Sequence, residues 1–325
     1  MSDPAPGATV GPWAREKLDA LGAYLNFYTT ALKNQAWIKS TTFVDAFAGA
    51  GHAKIRRTAA SAAVADLFAQ AEAAPIDAAA EEYIRGSPRV ALDITTPFSQ
   101  YVFIERDPGR AAMLEQLHGE YGSRHRIDVR QGAADAELDA LLKGHLGRSG
   151  HLAVVFLDPF GMQLSWDMIE RLAKTKRIEV MINFTLGMAI QRVLPRSAAL
   201  QPGWREALDR FFGSPDWYAQ VYDEKADLFG TRLEKRSDAG QRLLDWYRAR
   251  LKEVFGHVSP ARLIKNTKGG HLYYLIWAGP KALGLKGADH ILRQGEKLER
   301  AGVNGAATPP PRQAKKRASP SDEKS

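Results

Sequence analysis

Three carboxylates in this chain stand where a run of apolar residues gives way to a turn, and each turn carries residues suited to holding a nucleoside. The first is Asp45 in "FVDAFAGAGHAK", followed by Ala46 and Phe47 and then by Gly49 and Gly51. Glycines there let backbone amides approach a ligand with no Cβ in the way. A dinucleotide fingerprint needs a third glycine where Lys54 stands, and the pattern G-x-x-x-x-G-K-[ST] is missing. Nicotinamide and nucleoside triphosphate sites are therefore disfavoured, while a nucleoside without a pyrophosphate still fits. Taken alone, the stretch is equally a tight strand-to-helix turn that binds nothing.

The second is Glu105, at the end of "YVFIE", with Asp107 two residues on. An acid at the carboxyl end of a strand in a doubly wound sheet can accept the hydroxyls of a ribose. Asp107, in "ERDPGR", reads as a helix cap. The third is Asp158, in "AVVFLDPFG". Pro159 fixes φ and has no amide hydrogen, so the Asp158 carboxylate and the Pro159 carbonyl form a pair of acceptors for the two hydrogens of an amino group. Phe160 offers a face on which a base can stack, and Gly161 leaves room beside it. Such a site suits methylation of an exocyclic amine. The lone pair of that amine is delocalised into the ring, and accepting its hydrogens biases the nitrogen toward a nucleophilic geometry. Asp-Pro is also a common turn starter; the succession of Asp45, the two glycines, Glu105 and Asp158 on strand ends is what favours a site.

The elements that must position these residues follow from the hydrophobic pattern. The runs at 42–47, 101–105, 152–158 and 180–184 are nearly all apolar, as expected of parallel strands covered by helices on both faces. "RIDVRQG" supplies a further strand, with Asp135 just after it. Helical stretches alternate with these runs: "GRAAMLEQLHGEY" and "SWDMIERLAKT", the latter capped by Ser165. The spacing of Leu18, Leu21, Leu25, Tyr28 and Leu32 predicts an amphipathic helix over 14–37. The result is a doubly wound α/β fold, a central mostly parallel sheet flanked by helices, with its crevice at the carboxyl ends of the strands.

Two insertions interrupt this alternation, at about 55–86 and 186–235. The first holds an alanine-rich helix over 59–83, before a fresh helix start in "GSPRVALDI" with Ser87 as cap and Pro88 at the first helical position. The second is read as helical and lying over the crevice. A basic amphipathic helix follows over Ala239 to Phe255, then either two strands around Gly269-Gly270 or one strand after a loop. Residues 1–12 read as a flexible leader, 13–300 as one domain, and 301–325 as a disordered basic tail.

With no cysteine, disulfides and thiolate metal sites are excluded, and the eight histidines show no metal-binding spacing. No run reaches membrane-spanning length, and the first residues lack the pattern of a signal peptide. The expectation is a soluble, cytoplasmic protein. A net charge of +8 and a pI near 9.5 fit a polyanionic partner, RNA or DNA first. Arg192, Arg196, Arg242, Arg248, Arg250 and Lys252 are candidates for phosphate contacts or, individually, for a solvated helix face. Trp204, Phe211, Phe212, Trp217 and Tyr218 read as core.

The order "VDAFAGAG", "FIERD", "FLDPFG", "INF" resembles that of class I S-adenosylmethionine-dependent methyltransferases. Over residues 13–290 the chain more closely resembles the three-Cys-motif partner (TcmP) family, through "KLDALGAYLNFY" before "FVDAFAGAG", the "GSPRVAL" helix start, and "FLDPFG" with its following Trp. The resemblance implies a Rossmann-like class I methyltransferase fold, S-adenosylmethionine as cofactor, and a companion protein bearing a three-cysteine motif. Amino-methyltransferases carry Asp or Asn, then two prolines, then an aromatic; Asp158, Pro159 and Phe160 match that pattern with one proline fewer. On this basis the turn from Asp45 through Ala46, Phe47 and Gly49 to Gly51 holds the methionine end and Glu105 the ribose. Asp135 contacts the adenine ring and Asp158 orients the acceptor. A base inside a duplex cannot reach such a crevice, so the target is flipped or single-stranded. The competing expectation is a methyltransferase-like scaffold subunit, weak or silent in catalysis, that serves the same companion.

Overall fold

Strands that are apolar on both faces need a helical layer on each side, and the chain supplies both. The computed structural model describes residues 12–51, 86–159, 161–187, 189–227, 230–265 and 269–304. The chain enters through α1 (Pro12–Leu32), which ends short of the sequence expectation of residue 37. Five parallel strands follow: β1 (Ser40–Asp45), β2 (Gln100–Glu105), β3 (Ile127–Gln131), β4 (His151–Leu157) and β5 (Ile178–Phe184). They pair in the order β3-β2-β1-β4-β5.

Between the strands run α2 (Ser87–Leu92), α3 (Pro108–Glu115), α4 (Leu117–Tyr121), α5 (Ala134–Lys143) and α6 (Trp166–Lys174). Side chains along a strand alternate between faces, and the core divides accordingly. Phe43, Phe103, Val154 and Phe156 pack with α1, α2, α3 and α4. Their neighbours Val44, Val102, Ile104, Val155 and Leu157 pack with α5 and α6. Asp107 caps α3, accepting from the Arg110 amide, and Ser165 caps α6, accepting from the Met168 amide, both as the sequence suggests. The cap of α2 is different: Gly86 holds the extended capping conformation, and Ser87 is already helical and buried.

Beyond β5 the chain forms a 3-10 turn at Ile190–Val193, then α7 (Pro202–Phe212) and α8 (Trp217–Val221). The insertion is not wholly helical, since β6 (Tyr222–Asp227) and β7 (Gly230–Lys235) form a separate antiparallel hairpin. Then comes α9 (Ala239–Phe255), with the bounds its pattern suggests. The short β8 (His257–Val258), β9 (Arg262–Lys265) and β10 (His271–Gly279) complete an eight-stranded sheet, in which β10 lies antiparallel to β5. The last helix, α10 (Ala282–Asn304), runs past residue 301, where the sequence suggests that the tail begins. Phe211, Phe212 and Trp217 are core, and Trp204 and Tyr218 pack on it.

One hydrogen bond explains how the first insertion is tolerated. The Gly86 amide donates to the Gly51 carbonyl at 3.1 Å, so the two ends of the 52–85 stretch meet and α2 resumes where the turn after β1 leaves off. The expected helix over 59–83 lies outside the described residues. Because β1 leads toward β2 on one side while β4 adjoins it on the other, the strand order reverses at β1, the place where doubly wound sheets open a crevice at their carboxyl ends. Among the described residues no helix is long and apolar enough to cross a membrane.

Candidate functional site

Strand register places the three carboxylates. Asp45, the last residue of β1, pairs with Phe103 on β2 and Phe156 on β4. Glu105 and Asp158 each lie two residues further along, on either side of the turn after β1. At a strand spacing of ~4.8 Å, their Cα atoms are about 10 Å apart across that turn. The turn is pinned from both flanks: the Ala46 amide donates to the Phe156 carbonyl at 3.1 Å and the Ala48 amide to the Ile104 carbonyl at 2.9 Å.

Asp45 has no exposed surface. Its Oδ1 accepts from the Phe47 amide at 3.2 Å, while Oδ2 is buried with no hydrogen-bond partner among the described residues. Burial raises the carboxyl from 3.8 to about 7 against the pull of Ser87 and the Phe47 amide; nearby Asp158 adds to the rise and Lys17 opposes it. Gly49 and Gly51 follow with φ of +64° and +67°, the left-handed region that favours glycine. Open space lies where a Cβ at Gly49 would point, whereas one at Gly51 would come within 3.2 Å of Leu114.

Glu105, 5% exposed, braces this turn. Its Oε2 accepts from the Gly49 amide at 3.0 Å, and its Oε1 accepts from the Asp107 amide at 2.8 Å and pairs with Arg110 at 3.1 Å. A carboxylate offers about four lone-pair sites. Oε1 is thus saturated and Oε2 keeps one, enough for a single hydroxyl while the Gly49 bond is made. Gln131 on β3 pairs with Glu105, and Asp135 follows as the second residue of α5, with its Oδ1 buried and unpartnered.

Asp158 is held from two sides. Asn183 on β5 donates through Nδ2 to Oδ1 at 2.5 Å, and Lys17 on α1 donates through Nζ to Oδ2 at 2.5 Å. Pro159 is buried. Gly161 has φ of +71°, and its carbonyl accepts from the Thr185 hydroxyl at 3.1 Å. Phe160 lies outside the described residues. Lys17 also sits 5.3 Å from the centre of the Tyr273 ring.

Lys17, Tyr273 and Asn183 are not among the site residues named from the sequence. Lys17 and Tyr273 carry no spacing signal, because they reach Asp158 from α1 and β10. Asn183 does: it is a carboxamide near the carboxyl end of a fully buried strand whose only other polar residue, Glu179, stands at the amino end, and a buried polar group needs a reason. Two basic candidates turn out to be structural. Arg248 donates to the Ser259 carbonyl at 3.0 and 3.2 Å, and Arg250 donates to the Phe212 carbonyl and stacks 4.0 Å from the Trp166 ring centre.

Sheet order and helical layers define a Rossmann-like α/β protein with three carboxylates gathered at the carboxyl ends of adjoining strands. No family model and no curated protein matches the chain. Among solved structures it is similar to protein LPL1258 of Legionella pneumophila, of the DUF519 family, with 11% identity and a TM-score of 0.43 over 86% of this chain and 91% of that one. A conserved hypothetical protein of Streptococcus pyogenes shares 14% identity at a TM-score of 0.28, over 63% of this chain and 91% of that one. A protein solved in connection with conversion of a disulfide bond into a thioacetal group during echinomycin biosynthesis shares 12% identity at 0.27, over 85% and 87% of the two chains. With TM-scores below 0.5, none of the three bears on the chemistry of the site.

Proposed function

We propose that the protein is an S-adenosylmethionine-dependent methyltransferase acting on an amine of a flipped or single-stranded nucleic acid. The observation that carries this is the Asp45 carboxylate, fully buried with Oδ2 unpartnered, at the head of a positive-φ glycine turn between Glu105 and Asp158. A buried acceptor with no donor suits a ligand that brings one, and the ammonium of the methionine end does. Gly49 leaves the approach open, and Glu105 retains one lone pair for a sugar hydroxyl.

When bound, the cofactor supplies a methyl group on a sulfonium that already carries its leaving group. The work left to the protein is alignment and exclusion of water. Asp158 and the groups around it would hold the acceptor amine, and Asp135 is the candidate for the adenine ring. The net charge of +8 supports a nucleic acid as acceptor. The three-Cys-motif companion rests on the family resemblance, and co-purification with such a protein tests it.

Calorimetry with S-adenosylmethionine and S-adenosylhomocysteine tests the core of the proposal. Wild type binds both; Gly51→Trp, which fills the turn against Leu114, loses binding; Asp158→Ala keeps it. No binding by wild type refutes the proposal. Labelled-methyl transfer to cellular RNA and DNA fractions then identifies the class of acceptor.

A further inference from the structure

The acceptor end of the crevice already holds an amine, the protein's own. Lys17 Nζ lies 2.5 Å from Asp158 Oδ2, and the two side chains retain 15% and 23% of their exposure. The Tyr273 ring lies beneath the same ammonium. The preceding residue, Glu16, pairs with Arg262 on β9, which fixes this turn of α1 against the sheet. Asn183 steadies the other Asp158 oxygen and presents its own Oδ1, buried and with no hydrogen-bond partner among the described residues. Asp158 and Asn183 together therefore make an amine seat, and Lys17 is its resting occupant.

An incoming amine must displace that ammonium, and a displaced charge in a partly buried crevice is costly unless another anion receives it. Among the described residues the anions around it are committed: Glu16 is held by Arg262, and Asp45 is the acceptor assigned to the methionine end of the cofactor. A neutral nucleoside offers nothing in exchange, whereas a nucleotide brings a phosphate. We infer that Lys17 is a specificity-determining residue: it yields the Asp158–Asn183 seat to an amine whose own molecule carries a phosphate to receive the lysine. This rests on the methyltransferase proposal and narrows its acceptor to phosphate-bearing amines.

The test is calorimetric. Adenosine and cytidine, and their 3′- and 5′-monophosphates, are titrated into protein saturated with S-adenosylhomocysteine, which keeps the nucleosides out of the cofactor crevice. Wild type should bind the monophosphates about tenfold or more tighter than the nucleosides, the scale of one charge-assisted contact. Lys17→Met should bring the two to parity by tightening the nucleosides and weakening the monophosphates, and Lys17→Arg should restore the preference. A preference unchanged in Lys17→Met, or no binding of any of these by wild type, overturns the assignment. S-adenosylhomocysteine binding in the same cells separates the two ideas. If it binds and the preference does not respond, the methyltransferase proposal survives and the role of Lys17 falls; if it does not bind, the methyltransferase proposal itself has failed.

Discussion

A carboxyl that titrates near neutrality in the free protein must give up its proton to hold a cation, and this makes cofactor binding depend on pH in a calculable way. Burial places Asp45 at about 7. The α-ammonium of the ligand sits beside its own carboxylate, which holds it no lower than the ~7.7–8.0 of a chain terminus, so it stays charged below pH 7. If the ammonium seats on Asp45 Oδ2, the carboxyl is ionised in the complex, and the apparent Kd scales with the free protein's protonation factor, ~1 + 10^(7 − pH). That factor is about 33 at pH 5.5 and about 2 at pH 7.0, so affinity should rise ~16-fold across the window. At pH 6 the binding of each ligand should release about 0.9 proton.

Calorimetry of S-adenosylhomocysteine in buffers of differing ionisation enthalpy reads both quantities. Asp45→Asn, of the same shape and unable to titrate, should bind with an affinity flat over this range and release no proton from that site. Glu179 is a control, since burial also lifts it to about 7, but it stands at the amino end of β5, away from the crevice. Glu179→Gln should leave the slope intact. Ligand binding with no pH slope in wild type, or a slope that persists in Asp45→Asn, refutes the assignment of Asp45 to the ammonium.

Gly49 and Gly51 share nearly the same positive φ but not the same surroundings, so they separate strain from packing. Gly49→Ala should cost about 1 kcal/mol in urea unfolding, the left-handed penalty alone, while Gly51→Ala should cost about 1 kcal/mol more through the Leu114 contact; equal costs would show that the turn relaxes freely. Glu179, held by the Tyr24 hydroxyl in the core, is raised from 4.5 to about 7, chiefly by burial. Its stabilising share is full below pH 4.5 and is lost as pH rises through 7. Relative to Glu179→Gln, wild type should therefore lose about 3 kcal/mol between pH 4.5 and 7.5; parallel stability curves for the two proteins would show that Glu179 does not titrate in the fold.

The strands that build the crevice were legible because burial on both faces leaves no ambiguity of period: β1, β2, β4 and β5 sit within a residue or two of their apolar runs. The hairpin β6–β7 was not, because "YDEKAD" and "GTRLEK" have no apolar face to read. It is held by its own ladder and by cross-strand charge pairs such as Lys225 with Glu234 at 3.1 Å. Ser87 failed as a cap for a local reason: Gly86 takes the extended conformation and contacts Gly51 so closely that any Cβ there would meet its backbone at 3.0 Å. For Asp45, Glu105 and Asp158, strand-end position sufficed to bring them together, but not to tell what each carboxylate touches. Lys17 reaches Asp158 across 141 positions of sequence, a contact that depends on how α1 lies along the sheet.

Three acids at adjoining strand ends pose an electrostatic problem, and the fold solves it three ways. Glu105 is neutralised by two backbone amides and Arg110, and Asp158 by Lys17 and Asn183. Both solutions use groups built into the chain, so both carboxylates are held in position. Asp45 has the Phe47 amide, the Ser87 hydroxyl and, among the described residues, no cation in contact; burial raises its carboxyl to about 7, and Oδ2 is left unsatisfied. A fold that needed only a rigid turn would place an asparagine or serine there, with nothing left over. What the site lacks is a positive charge on a ligand small enough to reach past Gly49 and long enough to extend toward Glu105. A cationic amino acid joined to a nucleoside has that form, and a nucleotide amine facing Asp158 would then release Lys17.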